Sequence, residues 1–123
     1  MKEGNVVCEK SYQFAVRVVK LYQHLSAEKR EFILSKQILR SGTSVGANVE
    51  EAIGGHFRAD FFAKLSIAYK EARETAYWLR LLNDTGYLSE KQFTSIYNDA
   101  QELCRILAAI RKQQGRKLAA DNA

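Results

Sequence analysis

The chain has 123 residues, of which 46% are hydrophobic and 27% charged, a composition typical of one globular domain with its own core. The length excludes two domains, and the apolar content excludes wholesale disorder. Seven Gly and no Pro disfavour an all-β fold, because its many turns draw on both residue types. A Pro-free chain rich in Ala, Leu, Glu, Lys, Arg and Gln predicts long helices. No apolar run reaches the roughly 18 residues of a membrane span, so we expect no membrane association.

The net charge of +5 is concentrated at the C-terminal end. Before Arg105 the chain carries 14 basic and 13 acidic residues, whereas residues 105–120 carry five basic residues and no acidic one. A basic end of this kind suits a nucleic acid or an acidic protein partner. The alternative interpretation is a solvated helix end, where cations also complement the helix dipole.

Hydrophobic spacing predicts a first helix from about Glu9 to Leu25 and a second from about Glu28 to Ile53. Ser26 is the predicted N-cap between them. The stretch from Arg40 to Asn48 is rich in Gly, Ser and Thr, which lower helix propensity. We still expect one continuous second helix, because its apolar positions keep their heptad spacing across this stretch.

Gly54 and Gly55 are predicted to end the second helix, and Asp60 to cap the third. The third helix carries two apolar stripes, which indicate more than one neighbour. The first stripe is Phe61, Leu65, Ala68, Ala72, Thr75, Leu79 and Leu82; the second is Phe62, Tyr69 and Ala76. The third helix is expected to stop at residues 83–86, where Gly86 provides the C-terminal glycine.

Ser89 and Gln92 have the spacing of a capping box, which predicts the start of the fourth helix. We expect this helix to fray near Gly115. The four segments together predict an all-α protein, an antiparallel up-and-down four-helix bundle over residues 1–114. Residues 115–123 are predicted to form a disordered basic tail.

The motifs that resemble catalytic sites lack the context that catalysis needs. Residues 42–46 match G-x-S-x-G, but a nucleophile elbow follows a strand and needs acid and His partners. Residues 84–86 (Asp-Thr-Gly) fall at a predicted helix end, and no Glu-x-x-His or CxxC motif occurs. We therefore expect no enzyme activity, no catalytic residue, no metal and no cofactor. Cys8 and Cys104 could form one disulfide, but two thiols in a chain without a signal peptide fit a reducing cytoplasm better.

The middle of the second helix supplies candidates for helix packing or oligomer contacts. They are Arg40, Ser41, Gly42, Ser44, Gly46, Asn48 and Glu51. The two glycines form a small-xxx-small pattern that suits a close helix crossing, and a buried Asn48 can set register and oligomeric state. Arg40 and Glu51 lie about 16 Å apart along one helix axis, so they cannot pair within one helix but could pair between subunits.

The fourth helix supplies the candidate nucleic-acid-binding residues. They are Lys91, Arg105, Arg111, Lys112, Arg116 and Lys117. Lys91, Asn98, Arg105 and Lys112 repeat every seven residues and therefore share one face, which is expected to point outward.

Residues 40–52 (Arg-Ser-Gly-Thr-Ser-Val-Gly-Ala-Asn-Val-Glu-Glu-Ala) and residues 70–79 (Lys-Glu-Ala-Arg-Glu-Thr-Ala-Tyr-Trp-Leu) carry a family resemblance. The chain resembles the small four-helix-bundle proteins encoded within 23S rRNA intervening sequences, from about Tyr12 to Lys112. The resemblance implies a cytoplasmic bacterial protein that forms a ring-like homo-oligomer, a pentamer.

A similar protein serves as an accessory subunit of diversity-generating retroelement reverse transcriptases. That accessory subunit binds nucleic acid through a basic surface. The resemblance thus implies structured RNA or DNA, or a reverse transcriptase, as partners. It supplies no catalytic residue. A protein-interaction scaffold that binds no nucleic acid is the alternative function.

Overall fold

The computed structural model describes the backbone of residues 2–123 and the side chains of residues 6–123, which form four helices and no strand. The helices are α1 (Lys2–Ala27), α2 (Leu34–Gly54), α3 (Arg58–Asp84) and α4 (Glu90–Asp121). Each helix packs against the next one along the chain, and a smaller contact between α1 and α4 closes the bundle. Because the connections are short, neighbouring helices are antiparallel. The predicted up-and-down four-helix bundle is therefore confirmed.

One core runs the length of the bundle, and all four helices contribute to it. Its largest fully buried side chains include Phe14, Val18, Leu25, Ile38, Val45, Val49, Leu65, Leu79, Leu82, Leu103 and Leu107. Removing an aliphatic or aromatic side chain of this size from water stabilises a fold by about 1.5–3 kcal/mol. The core therefore supplies the main driving force for packing the helices together.

The two apolar stripes of α3 face two different helices. From Leu65 to Leu82 the first stripe is buried, and within it Thr75 donates a hydrogen bond of 2.9 Å to Ser41 Oγ of α2. In the second stripe, the ring of Phe62 lies against Gly115 of α4. The expectation of two neighbours is confirmed, and both neighbours belong to the same chain.

Helix α2 is continuous through its Gly- and Ser-rich middle, as predicted, because α1 lies directly on its glycines. A Cβ atom added to Gly42 would lie 2.7 Å from both methyl carbons of Val18. One added to Gly46 would lie 3.2 Å from the backbone oxygen of Ser11. The absence of side chains at these two positions lets the α1 and α2 backbones approach closely, which confirms the small-xxx-small interpretation.

The first two helix junctions differ from the sequence prediction. Ser26 lies inside α1 and bonds to backbone oxygens of its own helix, so it does not cap α2. Helix α2 begins at Leu34 instead of Glu28, because Glu31 accepts the Ser35 backbone N–H at 2.7 Å and so caps the later start. At the second junction the N-cap of α3 is Phe57, and Asp60 lies in the first turn of α3.

At the start of α4 the predicted capping box is present. Ser89 accepts the backbone N–H of Gln92 at 3.1 Å, and the Gln92 side chain accepts the backbone N–H of Ser89 at 2.9 Å. Two backbone donors of the first turn are thereby satisfied within the chain.

Helix α4 continues to Asp121, past Gly115, where we expected fraying and a disordered tail. Contacts with α3 explain the difference. Gln114 is buried, the Phe62 ring packs on Gly115, and Asp121 forms an ion pair with Arg58 at the start of α3. The basic residues beyond Gly115 are therefore presented on a helix.

The glycine contact with α1 predicts that Gly46→Leu destabilises the fold. A larger side chain would press against the α1 backbone, and such overpacking typically costs about 1–3 kcal/mol. Urea unfolding measures the loss. Gly54→Leu is the matched control, because a Cβ at Gly54 meets no atom within 4 Å. Equal unfolding midpoints for Gly46→Leu and the wild type would place Gly46 away from the α1 contact.

The Glu31 cap predicts a loss of stability in acid. Burial raises the pKa of Glu31, but N–H donors of Ser35, Leu34 and Ile33 outweigh it and hold this pKa below its usual 4.5. Its contribution is present above pH 4.5 and is lost as the pH falls through and below that value. Glu31→Gln should therefore lower the free energy of unfolding by about 1 kcal/mol at pH 7 and by less at pH 3.

Chemical denaturation at the two pH values tests the cap, with Glu28→Gln in the same connection as the control. A Glu31→Gln deficit that stays constant between pH 7 and pH 3 would contradict the assignment of the charged carboxylate as the cap.

Candidate nucleic-acid interface

The outward face of α4 presents a line of exposed cations. Lys91, Arg105 and Lys112 occupy positions of one seven-residue repeat, in which Asn98 is the other member, and all three are exposed. Ile96 and Ile110, which lie between them in sequence, are buried in the core. At 1.5 Å per residue, this line runs for about 30 Å along α4. Arg116 lies about 40° around the helix from Lys112 and continues this line, whereas Lys117 lies about 140° around and adds exposed charge at the helix end. We call these five residues the α4 basic face: Lys91, Arg105, Lys112, Arg116 and Lys117.

Most of the acidic residues of α4 are neutralised by cations from other helices. Glu102 pairs with Lys10 of α1 at 3.0 Å, and Asp99 pairs with Arg17 of α1. Arg17 is held further by a 2.9 Å hydrogen bond to Ser95 Oγ. Asp121 pairs with Arg58 of α3. These acids are thereby balanced by cations that do not belong to the α4 basic face.

The cations of the α4 basic face have no such partners. Within the described side chains, none of the five forms an ion pair shorter than 4.0 Å. The surface of α4 therefore carries uncompensated positive charge, which attracts anions and is screened by salt.

Arg111 is the one candidate cation that does not belong to the α4 basic face. It is half-buried, and its guanidinium carbon lies 4.4 Å from the centre of the Tyr69 ring of α3. This is the geometry of a cation–π contact, which is worth about 0.5–1 kcal/mol at partly exposed sites. Arg111 therefore belongs to the junction of α3 and α4.

The polar candidates of α2 pair with α3 inside the chain. Arg40 forms ion pairs with Glu71, at 3.1 Å, and with Glu74. Glu51 pairs with Lys64 at 3.0 Å. Arg40 and Glu51, whose pairing between subunits we considered, therefore each have an ion-pair partner on α3.

The remaining α2 candidates also have contacts within the bundle. The Asn48 side chain is partly buried and donates to the Ser44 backbone oxygen of its own helix at 2.8 Å. Ser41 accepts the hydrogen bond from Thr75, as described above. Gly42 and Gly46 contact α1. These contacts account for the α2 motif as packing between helices.

Glu74 receives two hydrogen bonds that stabilise its charged form. The Trp78 indole donates at 2.9 Å, and Arg40 donates from α2. The indole hydrogen bond is the largest cause that lowers the pKa of Glu74, with Arg40 adding to it against the opposing effect of burial. The Arg40–Glu74 pair is therefore a structural link between α2 and α3.

The G-x-S-x-G match lies in the middle of α2, with helix on both sides, and so lacks the strand that a nucleophile elbow follows. The cysteines are both free. A 2.7 Å hydrogen bond to Glu50 raises the pKa of Cys8 to about 11, and burial raises the pKa of Cys104. Both thiols are therefore poor nucleophiles near neutral pH.

Sequence reasoning missed the cations that α3 contributes beside α4. Arg73 and Arg80 are exposed and seven residues apart, close to the second apolar stripe of α3. The same seven-residue spacing that indicated the α4 basic face could have found them. Arg73 lies near enough to Cys104 of α4 to oppose the rise of its pKa, so this cation of α3 faces α4.

Two of three comparisons with known proteins found a match. The model of the family described as 23S rRNA-intervening sequence protein matches residues 3–109. No curated protein matches. Within the described residues, no helix combines the length and the apolar content that crossing a membrane requires.

A solved structure with high similarity is the 1.70 Å crystal structure of a protein of unknown function of the S23 ribosomal protein family from Bacteroides thetaiotaomicron VPI-5482. The two chains are 55% identical, with a TM-score of 0.87, and the match covers 89% of this chain and 98% of the other. The residues matched by the family model include all of α2 and α3. The chain belongs to the 23S rRNA-intervening sequence protein family.

Proposed function

We propose that this protein is a non-enzymatic, oligomeric accessory protein of the cytoplasm that binds structured RNA through the α4 basic face. The observation that carries the proposal is the distribution of ion pairs. Cations of α1 and α3 neutralise three acids of α4, while the five cations of the α4 basic face have no ion-pair partner among the described residues.

Cations arranged in this way bind phosphates. Lys and Arg side chains on a straight helix reach the backbone of a nucleic acid and release its condensed counterions. Phosphate contacts position a protein but carry little sequence information. We therefore expect weak sequence preference and strong salt dependence. The family's association with 23S rRNA intervening sequences makes structured RNA the first ligand to test.

Oligomerisation is the second part of the proposal, and exposed apolar side chains support it. Tyr12 of α1 is 62% exposed, Phe57 at the start of α3 is 72% exposed, and Ile53 of α2 is 43% exposed. The second stripe of α3, in contrast, already packs within the chain and gives no support. Contact with another copy would remove these apolar side chains from water, which favours association. The family resemblance suggests a ring of five copies.

A protein-interaction scaffold without nucleic-acid binding is the second candidate, and the same exposed apolar side chains favour it. The two functions differ in what they require of the α4 basic face. A scaffold leaves these cations as a solvated surface, whereas RNA binding depends on them.

The first prediction concerns a triple variant, Arg105→Gln, Lys112→Gln and Arg116→Gln. Mobility shift with a structured RNA at two salt concentrations should show weaker binding than for the wild type. If all three side chains contact phosphates, the log–log salt slope should flatten by about one unit per lost contact.

The matched control removes the same charge elsewhere, with Lys20→Gln, Lys29→Gln and Lys36→Gln, all exposed in the structure. We expect the control to keep most of the affinity and the salt slope. If both triple variants bind as the wild type does, with intact oligomers, the α4 basic face is a solvated surface and the scaffold function is favoured.

The second prediction concerns assembly. Sedimentation at micromolar concentration should give a species several times heavier than the 14.0 kDa chain. Tyr12→Ser combined with Phe57→Ser should shift the distribution toward smaller species, whereas Lys29→Ser, at another exposed position, should not. A stable monomer of the wild-type protein at this concentration would contradict the oligomeric part of the proposal.

A further inference from the structure

A cavity of about 340 Å³ lies between α3 and α4, near the α4 basic face but distinct from it. Its walls include Tyr69, Arg73, Tyr77 and Arg80 from α3, and Tyr97 and Gln101 from α4. The volume is at the lower end of the range of about 300–1,000 Å³ typical of small-molecule sites. A cavity of this size is suited to one small ligand.

The charge of the cavity is positive. Arg73 and Arg80 are both exposed, and within the described side chains neither forms an ion pair. No carboxylate is among the described residues that line it. The two arginines lie seven residues apart on one side of α3, so their guanidinium groups are available to a ligand that is itself anionic.

Hydrogen bonds already hold part of the polar wall in place. Arg73 donates one N–H to the Tyr69 hydroxyl at 3.2 Å, and Gln101 donates to the Tyr97 hydroxyl at 2.9 Å. A guanidinium group carries five N–H donors. Arg73 is therefore oriented by Tyr69 and still has donors left for an oxyanion.

The cavity also offers one exposed aromatic ring. Arg111 covers the Tyr69 ring, and the Tyr97 ring stacks on Phe93 with their centres 4.8 Å apart. Tyr77 is 53% exposed, and its only aromatic contact among the described residues is an edge-on one with Trp78. Tyr77 is therefore the most exposed of the lining aromatic rings, and its face is available to a planar ligand.

We propose that this cavity binds a nucleoside phosphate, with the phosphate held by Arg73 and Arg80 and the base placed against Tyr77. Cations beside an uncovered aromatic ring match the two chemical parts of such a ligand, an oxyanion and a planar base. The nucleotide is either free or an unpaired nucleotide of an RNA strand. The site does not require the α4 basic face, so it goes beyond the RNA contact proposed above.

Isothermal titration with AMP, adenosine and inorganic phosphate tests the site on the full chain. AMP should bind at least about tenfold more tightly than either part alone, because both halves of the site contribute. Arg80→Gln should weaken AMP binding about tenfold or more, as expected for the loss of a hydrogen bond to a charged group. Tyr77→Ala should weaken it about fivefold or more, whereas Tyr77→Phe keeps the ring and should retain the affinity.

Lys20→Gln is the matched control for charge, since it removes one exposed cation outside the cavity. Because the substituted side chains are exposed, thermal melting should confirm that every variant folds. The proposal is overturned if AMP does not bind at millimolar concentration. It is also overturned if phosphate alone binds as tightly as AMP, or if Arg80→Gln and Tyr77→Ala leave AMP binding unchanged.

Two further titrations identify the source of the nucleotide. A short unpaired oligonucleotide that binds through Arg80 and Tyr77 more tightly than AMP indicates an RNA strand, and a weaker one indicates a free nucleotide. The Arg105, Lys112 and Arg116 triple variant should lose structured RNA but keep AMP binding. Failure of the RNA proposal is thereby distinguishable from failure of this one.

Discussion

The close approach of α1 to α2 is the contact on which the rest of the molecule depends. Two positions without side chains, Gly42 and Gly46, let α1 lie against the α2 backbone through Val18 and Ser11. The glycines lower the helix propensity of α2, at roughly 1 kcal/mol each relative to Ala. The core that forms when α1 packs there offsets this loss, since Val18 itself is fully buried.

The position of α1 in turn sets the charge that α4 presents. Because α1 is held close to α2, a neighbouring face of α1, about 100° around the helix, meets α4. There Lys10 pairs with Glu102 and Arg17 pairs with Asp99. Those pairs leave the cations of α4 without intramolecular partners in the described part of the chain. The basic face is thus a consequence of the packing of the whole bundle as well as of the composition of one helix.

Local sequence signals predicted the elements of this fold that depend on nearby residues. The heptad spacing predicted that α2 continues without a break across Gly42 and Gly46, and the Ser89–Gln92 capping box predicted the start of α4. The predictions failed where a distant or unusual contact decides the outcome. Glu31 caps α2 from a position that standard capping residues do not indicate, and Phe62 and Arg58 of α3 support the end of α4.

The candidate site likewise has one part that the local sequence predicts and another part that depends on tertiary packing. The seven-residue repeat of Lys91, Arg105 and Lys112 was sufficient to predict an exposed face, because helix periodicity alone determines which residues share it. Helix periodicity could not assign Arg111 to Tyr69, nor bring Arg73 and Arg80 beside α4, since these relations depend on how α3 and α4 pack. Tertiary packing therefore determines the cavity, whereas helix periodicity alone predicts which cations of α4 share a face.

Ultraviolet crosslinking of a structured RNA to the purified protein, followed by mass spectrometry of the peptides, tests the central claim most directly. The claim is that the uncompensated cations of α4 form the nucleic-acid surface. The account predicts crosslinked peptides from α4 and the adjoining side of α3, which lose their label as salt is raised. Crosslinks confined to α1 and α2, or none at a concentration where the RNA is shifted, would contradict it.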